Sequence, residues 1–107
     1  MTKEPDFIAQ LTYRTTEEGG RKSFAASGYR PQVKFGFSEK QTSGQQTFID
    51  KEKVYPGETV MASIKVVSPH FFENALSEGM EFEFREGKTV IGIGKLVKIL
   101  NSRLRKV

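Results

Sequence analysis

Residues 92–100 read GIGKLVKIL, and whether this stretch is helix or strand decides the fold. Ile93, Leu96, Val97, Leu100 and Leu104 stand at helical spacing, so periodicity alone slightly favours a helix from residue 93 onward. Val97 and Ile99 also alternate, however, and the paired Gly92 and Gly94 oppose a helix. A glycine weakens a helix, whereas in a strand it often marks a bulge or a close backbone approach. The stretch therefore reads as a strand to Leu100, followed by a loose basic tail over residues 101–107.

The rest of the chain supports that reading, because apolar and polar residues alternate along it as in strands with one buried face. Phe7, Ala9, Leu11 and Tyr13 share one side, with Ile8, Gln10, Thr12 and Arg14 on the other. Val33, Phe35 and Phe37 are expected to point inward, as are Val60, Ala62, Ile64 and Val66, and then Met80, Phe82 and Phe84. Glu81, Glu83 and Arg85 fall on the outer face of that last run. The predicted core is Phe7, Leu11, Val33, Phe35, Ile64, Phe82 and Phe84.

Turn signals separate these runs. Glu18-Gly19-Gly20 closes the first, and Ser43-Gly44 is expected to divide residues 33–37 from a short strand at 46–49. Pro56-Gly57, Ser68-Pro69 and Glu78-Gly79 punctuate the later ones, and residues 85–88, Arg-Glu-Gly-Lys, read as a hairpin connection. Residues 71–76, FFENAL, resist the alternation and read as a helical turn within a loop. Short strands at this spacing point to a closed barrel or a sandwich.

Length and composition bound the rest. The 107 residues suit one domain, 1–107, with its core over about residues 6–100. There is no cysteine, so disulfides and thiolate metal sites are excluded. No apolar run is long enough to span a bilayer, and the first residues lack a signal-peptide core, so a cytoplasmic protein with no membrane partner is expected. Seventeen basic residues against thirteen acidic ones give a net charge of +4. Arg103, Arg105 and Lys106 supply most of that excess. A basic tail either grips phosphate or is a frayed, solvated end.

The motifs that imitate chemistry fail on inspection. Gly87-Lys88-Thr89 looks like the end of a phosphate-binding loop, but the required earlier glycine is Phe82, inside a strand. Gly92-Ile93-Gly94 is no dinucleotide fingerprint, since Val97 takes the place of the third glycine. His70 is the only histidine and has no visible partner. The carboxylate pairs Glu17-Glu18 and Glu81/Glu83 read as solvated surface, and the serines have no activating base. No catalytic, metal-binding or cofactor-binding residue is expected, and no nucleotide partner. What remains is polar and surface-directed: Arg21, Lys22, Arg30, Gln32 and Lys34. Arginine forks and a glutamine amide suit phosphate and ribose contacts that hold RNA without reading its sequence, though an ordinary solvated face has the same composition.

Two strings alter that balance. EEGGR at residues 17–21 and GYRPQ at residues 28–32 together resemble the opening of the C-terminal (third) domain of elongation factor Tu. YPGET at 55–59, FREG at 84–87 and the glycine-bearing run at 92–100 agree with it, so the resemblance covers about residues 6–100. It implies an all-β fold, a six-stranded antiparallel Greek-key β-barrel, and so decides residues 92–100 toward strand.

In that family the domain holds the T-stem backbone of aminoacyl-tRNA and meets an exchange factor. The chain starts at Met1 where the third domain starts, so the GTPase domain and the second barrel are expected to be absent. Carried over residue by residue, the RNA contacts implied are Arg21, Gln32 and Gly87. Lys88 takes the position of a further family glycine. The family's contacting threonine has only Ser43 as a counterpart, in a turn over 38–44 longer than the family's. A family lysine is replaced by Ser68, before a 68–79 loop that is also longer. The resemblance thus implies a non-catalytic, translation-linked module for tRNA or another structured RNA. The alternative is a protein-interaction module for a GTPase domain, an exchange factor or another protein.

Overall fold

The computed structural model describes residues 4–107. Its strands are β1 (Phe7–Tyr13), β2 (Ala25–Ala26), β3 (Gln32–Phe35), β4 (Thr42–Phe48), β5 (Lys53–Val54), β6 (Thr59–Val66), β7 (Glu81–Glu86) and β8 (Thr89–Ile99). Short 3₁₀ helices cover Pro69–Phe72 and Ser102–Leu104. Six strands close an antiparallel barrel in the order β1-β6-β4-β3-β7-β8, and β2 and β5 form a separate two-stranded ribbon. Three consecutive neighbours, β3, β4 and β6, are followed around the barrel by β1, which is the Greek-key return. Closure removes every edge from the main sheet.

The alternation does what it predicts. Phe7, Ala9, Leu11, Tyr13, Val33, Phe35, Val60, Ala62, Ile64, Val66, Phe82 and Phe84 are all buried. Phe7, Phe35 and Phe82 pack edge-on or tilted, with ring centroids 5.2–6.3 Å apart. Tyr13 takes the other end of the core, 4.9 Å from Phe84, and its buried hydroxyl donates to Gln46 Oε1. Burial drives the Tyr13 pKa far above its ordinary value, so the phenol stays a neutral donor.

Residues 92–100 are strand, and β8 is bulged twice. Ile8 pairs with Lys98 but Ala9 with Leu96, leaving Val97 as an extra residue; Phe84 pairs with Gly92 but Arg85 with Val90, leaving Ile91 extra. Gly92 and Gly94 lie directly opposite Phe84 and Phe82. A Cβ on Gly92 would stand 2.3 Å from Phe84 Cζ, and one on Gly94 2.2 Å from Phe82 Cζ. The glycines are there because two large rings lie across the backbone of β8.

Three expectations need correcting. Phe37 does not point inward: β3 ends at Phe35, and Phe37 is half exposed, stacked on Phe35 at 5.6 Å. Ser43-Gly44 is not a turn. Both lie within β4, and Gly44 is buried because a Cβ there would sit 2.6 Å from Val33 Cγ2; the chain reverses earlier, between Phe35 and Thr42. Nor is the tail after Leu100 loose. Leu104 is buried, the Ala75 and Leu76 amides donate to its carbonyl at 3.0 and 2.8 Å, and the Lys106 amide donates to Leu76 O at 2.8 Å. Arg105 grips Glu78 through both terminal nitrogens, at 2.9 and 3.0 Å. The buried Asp6 carboxylate accepts from Asn101 Nδ2 and from the Val66 amide, each at 2.9 Å, and its carbonyl accepts from the Leu100 and Asn101 amides. A hydrophobic anchor and backbone pairing thus outweigh the repulsion of the basic residues.

Candidate nucleic-acid interface

Arg21 reaches the surface on a tight loop after β1. The Glu18 and Gly20 amides donate to Thr15 O at 3.1 and 2.9 Å, and Glu18 Oε1 accepts from the Thr15 amide at 2.9 Å. That backbone hydrogen bond holds the Glu18 carboxyl below the usual carboxylate range. Gly20 packs so closely that a Cβ would meet Arg14 O at 2.5 Å, and Gly19 has φ +95°. The glycine pair is therefore a requirement of the loop that aims Arg21.

The Arg21 guanidinium is not free. It lies over the Tyr29 ring at 4.7 Å from the centroid, donates to Glu86 Oε2, and donates to Phe24 O at 3.2 Å. The Tyr29 hydroxyl donates to the same Glu86 oxygen. Burial, and next that hydrogen bond, raise the Tyr29 pKa well above its ordinary value. Arg21, Tyr29 and Glu86 therefore form one cluster at the base of the β7–β8 hairpin, and most of the arginine's charge is answered within it.

The hairpin carries the unanswered charge. Gly87 and Lys88 are the two residues between β7 and β8, and Gly87 has φ +62°. A positive φ at the first loop position is the glycine-dependent geometry of a type II′ hairpin. No atom lies within 4 Å of the site of a Gly87 Cβ, so a ligand can approach the backbone there. Lys88 is exposed and makes no ion pair or hydrogen bond among the described residues.

Gln32 stands on the neighbouring strand, opposite Arg85, with its side chain outward. Its Nε2 donates to Ser43 Oγ at 3.0 Å. The Ser68 amide donates at 3.0 Å to Oγ1 of Thr42, a buried residue on the inward face of β4, so Ser68 does not share the outward face of Gln32 and Ser43. Arg85 itself is turned to Glu83, donating through Nε at 2.9 Å. The structure thus gathers Arg21, Gly87 and Lys88 around Glu86, with Gln32 and Ser43 on the neighbouring strands β3 and β4, and leaves Ser68 apart from them. Lys22 and Arg30 are exposed, while Lys34 lies beside Glu83 in the β3–β7 register.

Sequence reasoning missed Tyr29 and Glu86, the two residues that decide what Arg21 does. Both sit inside strings already singled out, GYRPQ and FREG, but a partner in a hairpin 65 residues away leaves no periodic signal. Among the described residues, no group of His, Asp and Glu is placed to hold a metal ion, and no helix is long and apolar enough to cross a membrane.

Fold and surface together define a small antiparallel barrel with a polar, partly cationic hairpin end. Residues 1–100 match the family described as the elongation factor Tu C-terminal domain, and the chain belongs to that family. The family's domain is a non-catalytic β-barrel of translation-factor type.

Proposed function

We propose that this chain is a non-catalytic, cytoplasmic module that holds the sugar–phosphate backbone of a structured RNA such as a tRNA stem. The contact surface joins Arg21, Gln32, Gly87 and Lys88. The observation that carries the reading is the Gly87-Lys88 turn, where an exposed, unpaired cation stands beside a glycine with open space above it. Lys88 supplies the charge, Gly87 the access, and Gln32 an amide for ribose or phosphate. Arg21, shared with Glu86, chiefly fixes the hairpin. So few phosphate contacts make binding weak, with a shallow salt dependence set by those few charges.

Fluorescence anisotropy with a labelled T-stem hairpin, titrated at several salt concentrations, tests this. Lys88→Ala is expected to weaken binding to any stem sequence and to flatten the salt slope by roughly one charge. If the unaltered protein shows no affinity at low salt, the RNA reading fails. A protein-interaction role then replaces it, favoured by the exposed apolar Ile93 and Val97 on the outer face of β8.

A further inference from the structure

The β2–β5 ribbon lies outside the barrel and presents an aromatic pair that the core does not use. Ala25 and Val54 form its inward, buried pair. On its outer side, the Phe24 and Tyr55 rings lie 5.7 Å apart, with 37% and 52% of each residue exposed. Lys53 Nζ stands 4.6 Å from the centre of the Phe24 ring. The Phe24 carbonyl accepts from Arg21 Nη2, which ties this ribbon to the Arg21–Glu86 cluster and so to the Gly87-Lys88 turn.

We propose that Phe24 and Tyr55 form a stacking platform for an unpaired base of an RNA whose stem backbone rests on the Gly87-Lys88 turn. The proposal rests on the RNA reading above and extends it from backbone contacts to a base contact. The rings are tilted 55° to each other, so Tyr55, the more exposed, offers the stacking face and Phe24 flanks it; base–aromatic stacking needs a π-face but no particular sequence. Lys53 matches the charge: an ammonium against the ring meets the phosphate of the nucleotide stacked beside it. Lys22, on the adjoining loop, is also exposed. One carboxylate, Glu58, accepts from the Tyr55 amide at 2.9 Å, and Lys53 and Lys22 outnumber it, so the aromatic pair and its cations suit a polyanion with flat bases better than an apolar peptide.

The test compares a blunt RNA stem with the same stem bearing a short single-stranded extension that contains 2-aminopurine. The unaltered protein is expected to bind the extended RNA roughly tenfold more tightly and to quench its fluorescence. Tyr55→Ala should abolish both the gain and the quenching while leaving blunt-stem affinity unchanged. Tyr55→Phe should retain them. Thermal melting confirms that each variant is folded, and Phe24→Leu gives an independent reading should Tyr55→Ala unfold. Equal binding of the two RNAs without quenching would overturn the platform and leave the backbone reading standing. Failure to bind either RNA at low salt would remove both.

Discussion

Phe82 lies directly across the β7–β8 ladder from Gly94, and its ring fills the space a Cβ on Gly94 would need, 2.2 Å from Phe82 Cζ. Gly94→Ala should therefore destabilise the barrel by about 1–3 kcal/mol through overpacking. Phe82→Ala should cost about 3–5 kcal/mol through the cavity it leaves. Because the two share one space, the double variant should be less destabilised than the sum of the singles. Urea unfolding of the three proteins measures this, and simple additivity would show that the ring and the glycine do not compete.

Glu86 answers the charge of Arg21, so its removal is expected to help an anionic ligand. Glu86→Gln should increase stem affinity and steepen the salt dependence, while Arg21→Ala should lower both affinity and stability. The stability loss should be about 1–3 kcal/mol, since Glu86 and the Phe24 carbonyl lose a charged donor. Anisotropy together with thermal melting separates the two effects. An unchanged or weaker affinity in Glu86→Gln would show that the carboxylate does not screen the site.

The clasp between the tail and the loop after β6 should be acid-sensitive. The Arg105 guanidinium, and next the Ile99 amide, hold the Glu78 carboxyl below its ordinary value of 4.5. A group whose folded pKa is depressed stabilises fully above its unfolded pKa, and that contribution is lost as pH falls through the folded value. The protection factors of the Leu76 and Lys106 amides, taken relative to the intrinsic exchange rate at each pH, should therefore fall below about pH 4.5, before that of the Ala9 amide does. In Arg105→Ala, where Leu104 and the backbone pairing still hold the tail, the Leu76 and Lys106 amides should be less protected at neutral pH and lose less protection on acidification. Protection factors that stay constant with pH in the unaltered protein would refute the coupling.

The Gly87-Lys88-Thr89 string should not bind nucleotide. It sits in a strand–turn–strand hairpin, whereas a phosphate-binding loop leads from a strand into a helix whose N-terminus faces the anion. Calorimetry with GTP and Mg²⁺ is expected to show no saturable heat. Micromolar binding would contradict the proposal.

Most of the barrel is legible from the sequence because its strands keep a strict period of two. Every residue of the predicted core, from Phe7 to Phe84, is buried. Residues 92–100 are hard to read for a definite physical reason. The bulge at Val97 breaks the phase, so Leu96 and Ile99 are both inward although three residues apart, and that spacing imitates a helix. Phe37 misleads in the opposite way: its alternation continues past the end of β3, where no neighbouring strand remains to cover it. The family motifs point to Arg21, Gln32 and Gly87, and the departure at Lys88 adds a charge beside them; these are the residues proposed to meet RNA. The occupation of Arg21 by Glu86 and Tyr29 is not legible in the motifs, since it depends on a contact between distant loops.

The clasp of Asp6 on residues 100–101 places the entrance and the exit of the barrel side by side. The 2.9 Å hydrogen bonds from the Leu100 and Asn101 amides to one carbonyl leave almost no gap to bridge. The first and last strands of the barrel therefore meet at one place, and a linker leading from the anchored tail back to β1 would let the chain be reopened elsewhere. The exposed reversal between Phe35 and Thr42 is the natural place for new ends. Such a circular permutant would keep the Gly87-Lys88 hairpin and its Arg21 support intact, and the same adjacency would let the barrel be spliced into a surface loop of another protein without prising it apart.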